Sequence, residues 1–265
     1  MSEAKVLTRR EGRVLHVTIN RPERMNAIDT ETNFALQAAF DEFATDGELW
    51  VAVIRGAGDK AFSAGGDLKA MNAASSGGPA YVVPEKGYAG LTSRFDLDKP
   101  VIAAVNGLAM GGGFEIVMAA DLAVAAEHAV FSLPEPLAGI VAYAAGMHRL
   151  PRQLPHKQAM ELLLTCETLT AAQAMEWGLI NQVVPAVGLD AAVDKLVQKV
   201  LRCAPLAVRA TKQCVQRGLN LSLEDAVRGQ ETGLYPALEA MRQSQDILEG
   251  IRAFAEKRSP VWTGR

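Results

Sequence analysis

Three short runs, residues 50–54, 101–105 and 122–126, consist entirely of apolar side chains, and helix-length stretches separate them. A strand that is apolar at consecutive positions must bury both of its faces. Strands of that kind alternating with helices imply a mostly parallel sheet with cover on each side. The first run ends at Gly56-Ala57-Gly58 and the second at Asn106-Gly107. Residues 14–19 read as a further strand closed by the turn Asn20-Arg21-Pro22. After Asp29, the apolar positions Leu36, Phe40 and Phe43 recur at helical spacing. The fold class expected from these patterns is α/β.

The texture changes in the second half. From about residue 155 the chain reads as mainly helical. Thr170 and Gln173 form a capping-box start, and Gly178 is a stop. One short strand interrupts at 179–184. Helices are then expected over 189–203, 206–219, 223–233 and 246–257, with Ser222 as an N-cap. This divides the chain into a sheet-rich core over 1–190 and a helical region over 191–265. A short helical appendage buries little surface alone, so it is expected to pack against a neighbouring subunit. Residues 71–90, rich in Ser, Gly and Pro, read as either a mobile loop or a substrate-shaped insertion. No internal repeat is visible.

Composition narrows the function classes. A net charge of −3 disfavours a nucleic-acid-binding surface as the main purpose. Three cysteines, Cys166, Cys203 and Cys214, share no ligand spacing with the four histidines, so neither a metal site nor a disulfide framework is expected. The charged first residues lack the apolar core of a signal peptide, and no run approaches the roughly 18 apolar residues of a membrane span. A cytoplasmic protein without membrane partners is expected.

Two glycine-rich turns carry the chemistry. Ala-Phe-Ser-Ala-Gly-Gly-Asp-Leu-Lys spans 61–69, and Gly-Leu-Ala-Met-Gly-Gly-Gly-Phe-Glu spans 107–115. Each is read as following an apolar strand (50–54 or 101–105) and opening a helix. Glycine there permits close approach of a ligand to the backbone. The unpaired N–H groups of a helix start suit a developing oxyanion, most plausibly through Gly66 and Gly112. Neither turn carries a dinucleotide or P-loop signature, and Ser63 lacks the surroundings of a nucleophile elbow. Glu115 falls in the first helical turn after Gly111, Gly112 and Gly113, where the helix dipole favours its ionised form. Glu135 stands between Pro134 and Pro136, which fix its backbone. In an apolar pocket, one such carboxyl holds a proton while the other stays ionised, supplying an acid and a base. Taken singly, each glutamate reads as a helix charge or a loop residue; together, beside two oxyanion-type turns, they point to proton transfer around an enolate.

These residues resemble the enoyl-CoA hydratase/isomerase (crotonase) family. The resemblance rests on Asn-Arg-Pro-Glu-Arg-Met-Asn-Ala at 20–27, Ala-Gly-Gly-Asp-Leu-Lys at 64–69 and Lys-Pro-Val-Ile-Ala-Ala-Val-Asn-Gly at 99–107. It continues through Gly-Gly-Gly-Phe-Glu at 111–115, Ala-Asp-Leu at 120–122, Phe-Ser-Leu-Pro-Glu at 131–135 and the Ala-Phe-Ala-Glu-Lys-Arg run near the end. It implies a spiral of ββα units with a helical C-terminal trimerisation region, assembled as a homotrimer or a dimer of trimers. It also implies oxyanion amides at Gly66 and Gly112, and catalytic carboxylates at Glu115 and Glu135. The substrate would be an acyl-CoA thioester, so coenzyme A is part of the substrate and no separate cofactor is implied. Its handle would meet Arg24, Met25, Ala64, Gly66, Asp67, Leu68, Lys69 and Gly112. Lys69 and the C-terminal Phe254, Lys257 and Trp262 are weaker candidates for contacts within or between subunits; for these, tail packing or surface solvation is the plainer reading.

The activity implied first is enoyl-CoA hydratase: syn addition of water across the 2,3 double bond of a 2-enoyl-CoA. Close variants are a carnitinyl-CoA-dehydratase-like enzyme and an isomerase using Glu135 alone. A non-catalytic acyl-CoA- or RNA-binding scaffold is the alternative from another class. Tyr143 and Ala145 depart from the pattern, standing where the family's hydratases commonly carry glycines. The Tyr143 backbone N–H is expected to stay available to a water, and His148 to be a polar helix residue.

Overall fold

The computed structural model describes residues 4–265. An antiparallel hairpin, β1 (Val6–Glu11) and β2 (Val14–Ile19), leads into helix α1 (Thr30–Thr45). Then come β3 (Val51–Gly56), β4 (Ala61–Ser63) and α2 (Leu68–Ser75), followed by β5 (Val101–Val105), β6 (Leu108–Met110) and α3 (Gly112–Ala119). A third pair, β7 (Leu122–Ala126) and β8 (Val130–Ser132), is followed by a 3-10 turn, Glu135–Ala138, and by α4 (Gly146–Gln153) and α5 (His156–Thr165). The chain closes with β9 (Leu169–Thr170), α6 (Ala171–Glu176), β10 (Gln182–Val184) and five helices. These are α7 (Leu189–Leu201), α8 (Pro205–Gly218), α9 (Leu223–Arg228), α10 (Pro236–Arg242) and α11 (Gln245–Ala255).

The strands form two sheets. The larger runs β1-β2-β3-β5-β7-β10 and is parallel from β2 onward; the smaller runs β4-β6-β8-β9. Each of the pairs β3-β4, β5-β6 and β7-β8 sends its first strand to the large sheet and its second to the small one, so the chain winds as a spiral of ββα units. The glycine turns therefore follow the short strands β4 and β6, not directly the runs at 50–54 and 101–105 as the sequence suggested. Three-residue strands are too short to show a period, which is why they were not legible.

The large sheet is covered on both faces, as its apolar runs require. Ala52, Ile54, Val101, Ala103 and Val105 point into the main core. Their alternating neighbours Val51, Val53, Ile102 and Ala104 pack against Leu189, Val193 and Val197 of α7. Buried amides bind the two sheets at their rims. Asn106 accepts from the Gly56 N–H and donates to Gly58 and Ala61 carbonyls, while Asn26 donates to Ala57 and Ala61.

The helical half is close to expectation. The Thr170–Gln173 capping box and the Ser222 N-cap both form. The helix expected over 223–233 stops at Arg228, because Gly229 and a left-handed Gly233 (φ 76°) turn the chain into α10, which begins on Pro236. Trp262 Nε1 donates to the Arg202 carbonyl, and the backbone amides of Thr263 and Gly264 donate to the buried Asp246. The tail thus straps its own chain. Phe254, by contrast, is 88% exposed. Cys166, Cys203 and Cys214 are free. No helix among the described residues is long and apolar enough to cross a membrane.

Candidate active site

The loop between β2 and α1 and the first glycine turn are built as one unit. Met25 and Asn26 both adopt left-handed conformations (φ 53° and 54°), which turn the chain back on itself. Ala64 N–H then donates to Met25 O, Ser63 Oγ to Asn26 O, and Ile28 N–H to Gly65 O. Asp67 caps α2 by accepting from the Lys69 and Ala70 amides, and its other oxygen accepts from the buried Arg21 guanidinium at 2.9 Å. Arg21 also faces Asp29 at 3.2 Å. The hydrogen bonds from Arg21 and the helix amides hold the Asp67 carboxyl below the usual range against the opposing effect of burial. Its side chain is thereby committed to shaping the turn.

The second turn packs against the first. A Cβ on Gly65 (φ 84°) would lie 2.7 Å from the Met110 carbonyl oxygen and 3.0 Å from Gly112 N. A Cβ on Gly113 would lie 2.1 Å from Ser63 O. Only glycine permits this contact between two backbones. Neither the Gly66 nor the Gly112 N–H has an acceptor among the described residues, and Gly112 opens α3.

Both turns line a cavity of about 880 Å³, and every residue singled out from the sequence for the site borders it: Arg24, Met25, Ala64, Gly66, Asp67, Leu68, Lys69, Gly112, Glu115 and Glu135. The two basic residues, Arg24 and Lys69, are exposed, while Glu115 is 2% exposed. The rest of the wall is mostly apolar and tyrosine side chains, with Thr92 and Ser93 among them.

Glu115 differs from the sequence expectation. The helix start was expected to keep it ionised, but burial dominates and pushes its pKa up to about 7. The Gly146 N–H, donating to Glu115 Oε1 at 2.7 Å, opposes that shift; the nearby Glu135 adds to it, and the Arg149 guanidinium opposes it. Desolvation of a carboxylate outweighs a half-charge at a helix end when the side chain is sealed from water. Glu135, the first residue of its 3-10 turn, is also raised by burial, and its Oε2 has no hydrogen-bond partner among the described residues. A Cβ on Gly111 would lie 2.7 Å from Glu135 Oε1, so Glu135 lies over the second glycine turn.

Several contributors were not anticipated. Tyr81, Tyr88, Gly146 and Arg149 carry no local pattern that announces a site, and only the packed chain brings them to it; Arg21 stands in the 20–27 run, but its contact with Asp67 is made only by the fold. The 71–90 segment is not a free loop: its start belongs to α2, and Tyr81 OH donates to Ile28 O, Val82 N–H to Thr30 Oγ1 and Lys86 N–H to Gln37 Oε1. The Tyr143 N–H, expected to be available to a water, donates to Val141 O at 2.8 Å. Its side chain stands 77% exposed at the cavity wall. His148 is an exposed residue of α4.

A family model described as enoyl-CoA hydratase/isomerase matches residues 9–265. A carnitinyl-CoA dehydratase of Salmonella typhi is 46% identical over 265 residues, all of both chains. Among solved structures, an enoyl-CoA hydratase from Mycobacterium tuberculosis superposes with a TM-score of 0.91 at 39% identity, covering 99% of this chain and 100% of the other. A carnitinyl-CoA hydratase from Mycobacterium avium gives 0.76 at 42% identity with full coverage of both. Two abutting glycine turns beside a buried Glu115 and a half-buried Glu135, on a spiral of ββα units matched along its whole length, place this chain in the enoyl-CoA hydratase/isomerase family.

Proposed function

We propose that this protein is a hydro-lyase that adds water to, or removes it from, the Cα–Cβ bond of a coenzyme A thioester, with a carnitinyl-type substituted acyl group as its first candidate substrate. The observation that carries the reaction is the pair of carboxyls, buried Glu115 and half-buried Glu135, both raised above the ordinary range beside two glycine amides without an acceptor among the described residues. The full-length identity to a carnitinyl-CoA dehydratase favours the substituted substrate over the plain 2-enoyl-CoA that the sequence reading put first. Tyr143 at the cavity wall supports the same choice, since an aromatic there reshapes the acyl pocket.

In this reading the N–H groups of Gly66 and Gly112 hold the thioester oxygen as negative charge builds on it. In dehydration, Glu135 takes the Cα proton and Glu115 gives its proton to the hydroxyl leaving Cβ, which departs as water. In hydration, Glu115 takes a proton from the attacking water and Glu135 delivers one to Cα. A pair that holds one proton near neutral pH runs both directions. Arg24, Met25, Ala64, Leu68 and Lys69 would border the coenzyme A handle. The exposed apolar stripe Ile247, Ile251 and Phe254 on α11 supports assembly through the helical region 191–265 into a trimer or a dimer of trimers.

The test is spectroscopic. Conjugated-enoyl absorbance is followed with carnitinyl-CoA, where it should rise, and with crotonyl-CoA, where it should fall. A higher kcat/KM on carnitinyl-CoA supports the substituted substrate, and the reverse order favours a short-chain enoyl-CoA hydratase. No turnover of either would overturn the hydro-lyase reading.

A further inference from the structure

Arg149 stands behind the glutamates and does not border the cavity. It lies in the first turn of α4, close after Gly146, whose N–H donates to Glu115 Oε1. The residue is half-buried, and no carboxylate among the described residues makes a salt bridge with its guanidinium. The neighbouring Arg94 provides the contrast, since it pairs with Asp41. Arg149 Nη1 instead donates to the Thr92 carbonyl at 2.7 Å, and the guanidinium carbon lies 5.9 Å from the centre of the Phe95 ring. An arginine stays charged at any working pH, so this is a permanent cation held by a neutral oxygen and a ring face. Burial lowers its pKa, and Glu115 is the anion that opposes the shift. A cation placed this way is costly for the fold alone and favourable where negative charge appears beside it.

Glu115 is faced from three elements. Glu135, on the 3-10 turn after β8, adds to the upward push on its pKa. Tyr88, from the turn Tyr88–Gly90, stays neutral, because burial above all lifts its own pKa well above the ordinary value. Arg149, on α4, is the positive charge among them and opposes the push. The other ionisable side chains of α4, His148 and Arg152, are exposed; α3 carries none besides Glu115, and β4 and β6 carry none. The bond to Thr92 also ties α4 to the opposite wall. Thr92 Oγ1 accepts from the Tyr88 N–H at 2.9 Å, and the Tyr88 ring packs on Gly112, where a Cβ would lie 2.4 Å from it. One guanidinium thereby joins the helix that holds Glu115 to the turn that backs the second glycine loop.

We propose that Arg149 is a positioning residue for Glu115: anchored on Thr92, it holds the start of α4 against the carboxyl and supplies the fixed charge that favours the ionised carboxylate. This rests on the hydro-lyase reading and deepens it. In dehydration, negative charge develops on Glu115 as its proton passes to the hydroxyl leaving Cβ. In hydration, the carboxylate is the base that takes a proton from the attacking water. A cation outside the cavity favours that charge without touching substrate or exchanging protons. Without it, Glu115 would keep its proton to a higher pH.

The experiment is a stability cycle with no substrate present. The difference in urea-unfolding stability made by Glu115→Gln is followed from about pH 4.5 to about pH 9 in the wild type, in Arg149→Gln and in Arg149→Lys. In the wild type the difference grows above pH 4.5 and levels off near 7, where the folded carboxyl titrates. Arg149→Gln keeps a donor for Thr92 and loses the charge, so its difference should go on growing for roughly one pH unit more. Arg149→Lys keeps the charge and should level off where the wild type does. Arg149→Met serves the same comparison if the glutamine variant does not fold. A neutral variant that levels off near 7 would overturn the proposal. An equal displacement in Arg149→Lys would also overturn it, since the charge would then not be the cause. With turnover established, the alkaline limb of kcat should move up by the same amount in the neutral variant alone. Turnover with an unmoved titration refutes this proposal alone. A moved titration in a protein that turns over neither carnitinyl-CoA nor crotonyl-CoA refutes the hydro-lyase reading and leaves the relation between Arg149 and Glu115 standing.

Discussion

The backbone N–H of Gly146 donates to Glu115 Oε1 at 2.7 Å across 31 residues of sequence. That bond exists because Ala145, the residue before it, sits in the left-handed region at φ 77° and turns α4 so that its first amide faces the cavity. Its strength opposes the desolvation of Glu115, and the balance leaves the carboxyl titrating at about 7 rather than higher.

Ala145→Gly should therefore stabilise the fold. Relief of a left-handed alanine is worth about 1–2 kcal/mol, and the extra freedom of glycine in the unfolded chain returns about 0.5–1 kcal/mol. The expected net gain is about 0.5–1 kcal/mol, read as a rise in Tm of roughly 1–4 °C. An unchanged or lower Tm would mean that the turn bears no strain.

Glu115→Gln should raise stability selectively at high pH. The folded carboxyl titrates near 7 against 4.5 for the ordinary value, so the folded state holds its proton longer than the unfolded one. Burying it costs nothing below about pH 4.5, and the cost grows as pH rises to 7, reaching about 3 kcal/mol by 1.36 kcal/mol per unit. Urea unfolding of wild type and variant should coincide near pH 4.5 and separate by pH 8, with the variant more stable. A constant gap across that range would contradict the assignment.

Replacing either carboxyl should disable chemistry and spare binding. Glu115→Gln and Glu135→Gln are each expected to lower kcat by about 10²–10⁴, with Kd for a saturated acyl-CoA changed little. If Glu115→Gln kept full hydration and double-bond isomerisation persisted, Glu135 alone would carry the proton, and the isomerase alternative would replace hydration.

Gly66 and Gly112 should differ in tolerance. A Cβ on Gly66 meets the flexible Met71 Cε at 2.4 Å, whereas on Gly112 it meets the rigid ring of Tyr88 at the same distance. Gly66→Ala should fold with little loss. Gly112→Ala should cost about 1–3 kcal/mol from overpacking and lower kcat further by displacing the turn. Equal Tm values for the two variants would refute the difference in packing.

Followed by conjugated-enoyl absorbance, wild-type activity in either direction should fall as pH rises through about 7, because both directions need the glutamate pair to hold one proton. A flat profile between pH 6 and 8 would show that neither carboxyl changes state in the rate-limiting step.

Local order carried the sequence reading a long way. Continuous apolar runs such as 101–105 determined strands buried on both faces, the Thr170–Gln173 box and Ser222 determined helix starts, and the glycine turns with Glu115 and Glu135 marked the candidate site, because each depends on residues within a few positions of one another. Tertiary structure decided what depends on distant neighbours. The three-residue strands β4 and β6 owe their shape to pairing with each other. Tyr143 lost its free N–H to Val141 through the local path of a loop that no pattern specifies. The charge state of Glu115 could not be read from its helix position, since desolvation depends on what seals the cavity, and Gly146, Arg149 and Glu135 reach it only in the folded chain. Tyr88 joins the site for the same reason: α1 and the strained turn at Ala89 put its ring on Gly112, from a segment whose composition spells only a loop.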